Sequence, residues 1–234
     1  MNLPRRVLPE TLDQLAASDP LAVRSRADLR RINRLLGTHT LMLRALSNGL
    51  PAPRHIIELG AGDGTLMLTI ARKMAVRWPA VHLTLLDRQH LVSAQTISAF
   101  AALGWQADIL AADVHDWLKQ ASQQCFDLVL ANLFMHHFHN HQLAPMLAAI
   151  AQRCQVFFAC EPRRTWLPLA GSHLIGLIGA NAVTRADAVL SVHAGFCRHE
   201  LTALWPGELR HAWILHEYPA RLFSHCFHAT RRRS

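Results

Sequence analysis

A chain of 234 residues, 51% of them hydrophobic, is long enough for one α/β domain of ordinary size and too apolar to be disordered. Much of its formal charge of +8 sits at the ends, in Arg5–Arg6 and Arg231–Arg232–Arg233, and no basic stripe with interleaved aromatics accompanies it, so no nucleic-acid partner is expected. The five cysteines form no CxxC pair, the N-terminus has no apolar signal core, and no apolar stretch is long enough to span a bilayer; the expectation is a cytoplasmic protein with reduced thiols and no membrane span.

Residues 1–50 are expected to form an N-terminal helical cap. Ser25 and Asp28 have the spacing of a capping box. Leu29, Ile32, Leu35, Leu36, Leu43 and Leu46 then fall close to a helical stripe, which Asn48–Gly49 and Pro51 bring to an end. From there the pattern changes. HIIELG (55–60), VHLTLLD (81–87), WQADILAAD (105–113), FDLVLAN (126–132) and QVFFACE (155–161) are short apolar runs, and helix-compatible segments at 64–78, 90–103 and 141–152 alternate with most of them. Strands that alternate with helices are parallel strands joined by crossovers, and continuously apolar strands belong to a sheet covered on both faces. Residues 163–181 and 197–205 look helical. WILHEYP (213–219) and RLFSHCFHA (221–229) are joined by a turn so short that they must pair antiparallel. The predicted architecture is a doubly wound α/β domain over 51–234. Its seven-stranded sheet is mostly parallel and closes in an antiparallel C-terminal hairpin, and a helical insert at about 163–205 forms an acceptor pocket and lid.

ELGAGDGT (58–65) follows the first strand and opens a helix. Glycines at 60, 62 and 64 let the backbone turn sharply and approach a ligand closely, and the free N–H groups of the helix start favour a polar group there. Asp87 ends the second strand, where a carboxylate suits the two hydroxyls of a ribose. The spacing is GxGxG and not the GxGxxG of a dinucleotide site, with Thr65 in the place of the third glycine. Glu58, just before the loop, would attract an ammonium and repel a pyrophosphate. S-adenosylmethionine, with an ammonium, a sulfonium and no phosphate, fits these features.

ELGAGDG, LLDR (85–88), AADVHDW (112–117) and FDLVLANLFMHH (126–137), in this order and each at a strand end, resemble the motifs of class I S-adenosylmethionine-dependent methyltransferases. The resemblance spans roughly residues 50–165. It implies that Glu58, Gly60, Ala61 and Gly62 line the methionine end. It further implies that Asp87 and the adjoining Arg88 lie at the ribose, that Asp113 and the backbone of Val114 meet the adenine, and that Asn132 lies beside the methionine moiety. At Asp113 a helix N-cap is an equally sound physical reading, compatible with the first.

Four histidines follow the fourth strand: His136, His137, His139 and His141. Neighbouring residues on an α-helix do not converge, and no CxxC or acidic cluster adds ligands, so no metal is expected. His136 and His137 fall where the transferred methyl group would lie. Each is a candidate general base, since a histidine near pKa ~6.5 can take a hydroxyl proton at neutral pH, and each has a structural alternative in a bond to backbone. His139 and His141 read as solvated.

Several methyltransferase chemistries are excluded. Asn132–Leu133–Phe134–Met135 is not the Asn/Asp-Pro-Pro-aromatic signature of amino-methylating DNA enzymes, and it holds no Pro–Cys nucleophile. No loop carries the paired glutamates of protein-arginine enzymes. Asn132 and Glu161 match the metal ligands of catechol-type enzymes only loosely. What remains is a small-molecule acceptor, built from the apolar helix and the polar patch Asn181, Thr184, Arg185, Asp187 and His193 in residues 161–196. SVHAGFCRHELTALWP resembles a group of bacterial methyltransferases found with polyketide-type secondary-metabolite enzymes, which implies O-methylation of a phenolic or lipid-like hydroxyl. An RNA methyltransferase and a non-catalytic cofactor-binding module are the alternatives.

Overall fold

The computed structural model describes residues 3–47, 51–119 and 124–232; the Asn48–Gly49 stop and Arg233 of the basic tail lie outside them. Seven strands form one sheet: β1 (His55–Leu59), β2 (His82–Asp87), β3 (Gln106–Ala111), β4 (Phe126–Asn132), β5 (Cys154–Pro162), β6 (Trp213–Ala220) and β7 (Ser224–Arg231). Their order is β3-β2-β1-β4-β5-β7-β6. The first five run parallel, and β7 inserts antiparallel between β5 and β6. This is the predicted doubly wound sheet with its antiparallel hairpin. The chain runs outward from β1 to β3 and returns to β4 on the other side of β1. The crevice between the C-terminal ends of β1 and β4 is therefore the topological switch point, where such sheets bind ligands.

Alternation along the strands fills both faces. Ile57, Leu59, Val129 and Phe157 pack on one side with α6 (Asn140–Arg153), and Ile56, Leu83, Leu128 and Phe158 on the other with α3 (Thr65–Met74). Helices α4 (Ala94–Ala101) and α5 (Val114–Lys119) complete the crossovers. Four of the five cysteines are buried and all are free thiols, as their scatter among apolar runs implied.

The N-terminal helices differ from expectation in two ways. Helix α1 (Pro20–Leu36) starts at Asp19, whose carboxylate accepts the Leu21 N–H at 2.7 Å, and not at Ser25. It stops at Gly37, which takes φ +67°, and α2 (Thr38–Ser47) begins anew, so one long stripe becomes two helices. Ser25 and Asp28 are instead buried in the middle of α1, facing α8 (Ala182–Ala194). There Asp28 accepts the Asn181 N–H at 2.8 Å and the Thr184 hydroxyl at 3.2 Å, and Asn181 bonds Ser25. The polar patch read at Asn181, Thr184 and Asp187 is thus largely the seam between α1 and α8. Helix α8 itself is an addition to the sequence reading. Its buried residues, Val183, Thr184, Asp187, Val192 and Ala194, mix polar with apolar and leave no clear stripe. Helix α7 (Trp166–Leu174) and α9 (Glu200–Leu204) occupy the segments expected to be helical.

Candidate active site

A cavity of about 800 Å³ opens at the switch point, toward the upper end of the ~300–1,000 Å³ usual for ligand sites. One end is built by the loop after β1 and the end of β2. Gly60 and Gly62 both adopt positive φ, +70° and +56°. The N–H of Gly62 donates to Asp87 Oδ2 at 2.9 Å, and Gln89 N–H donates to Asp87 Oδ1 at 2.9 Å. Two backbone bonds therefore aim the Asp87 carboxylate while leaving a lone pair free on each oxygen. Asp113 accepts the His115 N–H at 2.8 Å as the N-cap of α5, so its capping role is realised with one oxygen and the other is left for a ligand.

Gly60, Gly62, Asp87, Arg88, Asp113 and Val114 line the cavity, and so do His136 and His137. Glu58, Ala61 and Asn132 lie outside its lining. Ala61 contributes its backbone, donating to Leu86 O at 3.0 Å. Glu58 is 2% exposed, and among the described residues its Oε2 has no hydrogen-bond partner, nor does Asn132 Oδ1 on the neighbouring strand. Burial, together with the nearby Asp63 and Asp87, holds the Glu58 carboxyl well above the usual carboxylate range. Two buried acceptors without a donor beside a glycine loop suit an ammonium group. With the carboxylates of Asp87 and Asp113 along the same crevice, these residues fit S-adenosylmethionine.

The histidines lie at the end of β4, where Met135–His137 form a single 3-10 turn. His136 is 2% exposed, and its Nδ1 stands 2.8 Å from Glu161 Oε2. The Glu161 carboxylate also accepts the N–H groups of Phe134 and Met135 at 3.1 and 2.9 Å, so β5 and the turn after β4 are fastened together. The other ring nitrogen of His136 faces Glu10 at 3.4 Å. Burial opposes charge on His136, but Glu10 and Glu161 outweigh it and raise the pKa to about 9. His137 is different. Burial and the neighbouring His136 lower its pKa, and its Nδ1 meets Asp13 at 3.3 Å. The premise of a base near neutrality thus does not extend to His136, which carries its proton at neutral pH between two carboxylates. His139 and His141 are exposed and stack on each other at 5.5 Å.

Glu10 and Asp13 come from a strap, residues 3–15, that lines one part of the cavity from Val7 to Gln14. Polar bonds hold it down. Asp187 accepts the N–H groups of Thr11 and Leu12 at 2.9 Å each, Ser191 donates to Glu10, and Gln89 donates to Leu15 O at 3.2 Å. Arg5 lies over the Phe196 ring at 4.5 Å and donates to Phe138 O at 2.9 Å. The sequence reading missed Glu10 and Asp13 entirely, because the strap has no periodicity to mark it. Much of the remaining lining is apolar, with Leu29, Ile32 and Leu36 of α1 and Ile175, Ile178 and Phe223, beside polar Arg26, Asn33, Thr38, Ser172 and Ser224. The stripe read on α1 is real, but it lines the cavity and leaves the core contact to Ala22, Ser25 and Asp28.

Residues 56–155 match a family model described as a methyltransferase domain. No curated protein matches the chain. Among solved structures, the plantazolicin methyltransferase BpumL in complex with SAH is similar over 94% of this chain and 94% of its own, with a TM-score of 0.67 and 15% identity. An O-methyltransferase family protein from Burkholderia thailandensis is similar over 92% of this chain and 62% of its own, with a TM-score of 0.58 and 13% identity. Magnesium protoporphyrin IX methyltransferase (ChlM) from Synechocystis PCC 6803 with bound SAH is similar over 94% of this chain and 91% of its own, with a TM-score of 0.54 and 13% identity. No helix among the described residues is long and apolar enough to cross a membrane.

Proposed function

We propose that the chain is a class I S-adenosylmethionine-dependent methyltransferase and that it methylates a hydroxyl of a small molecule of phenolic, polyketide-like or lipid-like character. The observation that carries this reading is a continuous cavity of about 800 Å³ whose lining joins Gly60, Gly62, Asp87 and Asp113 to the apolar residues Leu29, Ile32, Leu36, Ile175, Ile178 and Phe223. A folded macromolecule would not reach the bottom of such a pocket, whereas a flat or flexible apolar molecule fits it.

When bound, S-adenosylmethionine supplies the electrophilic sulfonium methyl. The chain's own residues position the reactants and exclude water. Glu58 and Asn132 would hold the ammonium, Gly60 and Gly62 would allow the backbone close to the methionine chain, Asp87 would take the ribose hydroxyls, and Asp113 with the backbone of Val114 would take the adenine. Arg88 lines the cavity and ion-pairs with Asp13 at 3.5 Å, so its part is to tie the strap to the ribose end. The strap forms part of the cavity wall, and dehydration strengthens each polar contact inside. His136 and His137 supply the polar cluster that faces the acceptor, and to them we assign orientation and polarisation of the attacking hydroxyl. Holding a nucleophile in line with the methyl group accounts for ~7–11 kcal/mol of barrier reduction in well-oriented systems, so positioning is the larger share of the catalysis.

The test is a screen with methyl-labelled S-adenosylmethionine against cell extract, separated into RNA, protein and small-molecule fractions. Label in the small-molecule fraction is the expected result. Label confined to RNA or protein would rule this reading out.

A further inference from the structure

Glu10 and His136 face each other in the buried cluster at the end of β4. Nε2 of His136 lies 3.4 Å from Glu10 Oε1, and both residues are buried. Among the described residues that nitrogen makes no well-formed hydrogen bond. Which nitrogen could ligate follows from the other side of the ring. Nδ1 stands 2.8 Å from a Glu161 carboxylate that also takes backbone N–H groups, so Nδ1 keeps its proton toward Glu161, and Nε2, whose proton faces Glu10 in the ion-free protein, is the nitrogen that would exchange that proton for a metal ion. His137 repeats the pattern, with Nδ1 3.3 Å from Asp13 Oδ2 and Nε2 left over. A carboxylate on one ring nitrogen is how proteins orient a histidine whose other nitrogen binds a metal.

The distances agree. One ligand atom each from Glu10, His136 and His137 lies within 4.8 Å of the others. Ligands at about 2.0–2.1 Å around a tetrahedral zinc stand roughly 3.4 Å apart. The Glu10–His136 pair is already at that spacing, and a ligand atom of His137 lies within 4.8 Å of both. On an α-helix two successive histidines would point apart. The two histidines instead share a 3-10 turn, which brings their ring centroids to 4.2 Å, and the third ligand arrives on the N-terminal strap.

We propose that Glu10, His136 and His137 form a site for a divalent transition-metal ion of the zinc class. Two imidazoles and one carboxylate are the donor set that zinc and iron(II) take, whereas magnesium and calcium want oxygen throughout. The ion adds positive charge beside the carboxylates of Glu10, Asp13 and Glu161. All three ligands line the cavity, so the open coordination position faces it. An oxygen of the acceptor completes the coordination there, and the ion is then the agent through which the two histidines polarise the hydroxyl. That last role rests on the proposed methyltransferase acceptor pocket; ion binding does not. Because Glu10 belongs to the strap, the ion also fastens the strap in place.

The experiment uses chelator-treated full-length protein titrated with cobalt(II), whose visible absorption reports four-coordinate binding, and with zinc(II) by calorimetry. One equivalent is expected to bind. Glu10→Gln and His137→Gln each weaken binding by more than about 10-fold, the lower end of what even supporting residues of metal sites contribute. A His139→Gln/His141→Gln double variant, which removes the exposed stacked pair, retains it. Circular dichroism and S-adenosylhomocysteine affinity are read on the same samples. Intact S-adenosylhomocysteine binding with no saturable cobalt or zinc binding overturns the ion site alone. So does binding that survives Glu10→Gln and disappears in the His139/His141 variant. Loss of S-adenosylhomocysteine binding with one equivalent of cobalt retained counts against the methyltransferase reading and leaves the ion site standing.

Discussion

Phe134 lays its ring where a side chain on Gly60 would stand: a Cβ there would come within 2.3 Å of the ring. The contact joins the loop after β1 to the turn after β4, the two sides of the switch point. Gly60 also has φ +70°, which costs a residue with a Cβ roughly 1–2 kcal/mol. Gly60→Ala is therefore expected to lower stability by more than the backbone cost alone and to weaken S-adenosylhomocysteine binding. Phe134→Leu in the same chain makes room and recovers part of the loss. Thermal unfolding and calorimetry of the single and double variants check this; equal destabilisation with and without Phe134→Leu would show the ring plays no part.

Glu58 sets stability against binding. Its carboxyl is held well above the usual range by burial, with Asp63 and Asp87 adding repulsion. At pH values between its unfolded and folded pKa the native state holds a proton that the unfolded state does not, so stability falls as pH rises through that window. Glu58→Gln removes the effect. The variant is expected to be more stable than wild type at neutral pH and to bind S-adenosylhomocysteine more weakly. Wild-type binding should release a proton as the carboxyl meets the ammonium, seen as a calorimetric enthalpy that changes with the buffer's ionisation heat. A buffer-independent enthalpy, with Glu58→Gln binding as tightly as wild type, contradicts the assignment.

Asp187 holds the strap. Its two oxygens take the N–H groups of Thr11 and Leu12, and Asn would present an N–H to one of them. A lost bond to a charged group is worth about 1.5–3 kcal/mol. Asp187→Asn should speed hydrogen exchange in residues 7–15 by about 10-fold or more while the amides of β1, β4 and β5 keep their protection. Uniform loosening of strap and sheet would mean that the strap does not open separately from the fold.

His137 stands on the acceptor side of the site. Once an acceptor is in hand, His137→Ala should lower kcat by roughly 10²–10⁴ and leave S-adenosylhomocysteine affinity near wild type. Near-normal turnover would assign the rate to positioning alone.

The cofactor half was legible because its physics is local. Gly60 and Gly62 announce positive φ by being glycine, Asp87 and Asp113 are carboxylates at the ends of apolar runs, and all four line one cavity. The strap was not legible. Glu10 and Asp13 sit in an aperiodic segment whose meaning comes only from His136 and His137, far along the chain. Ser25 and Asp28 misled for a related reason. Their spacing is that of a cap, but buried polar residues inside a helix can serve as caps for a neighbour, and Asp28 does this for α8. The stripe at Leu29, Ile32 and Leu36 has helical periodicity, which identifies an apolar face without saying whether protein or ligand covers it.

The central claim is that the crevice at Gly60, Gly62 and Asp87 holds S-adenosylmethionine, and calorimetric titration with S-adenosylhomocysteine tests it most directly. One site per chain is expected. Asp87→Ala, which removes both the ribose acceptor and the anchor of Gly62, should weaken binding by about 1–3 kcal/mol. Absence of S-adenosylhomocysteine binding together with tight binding of NAD, or wild-type affinity in Asp87→Ala, would contradict it.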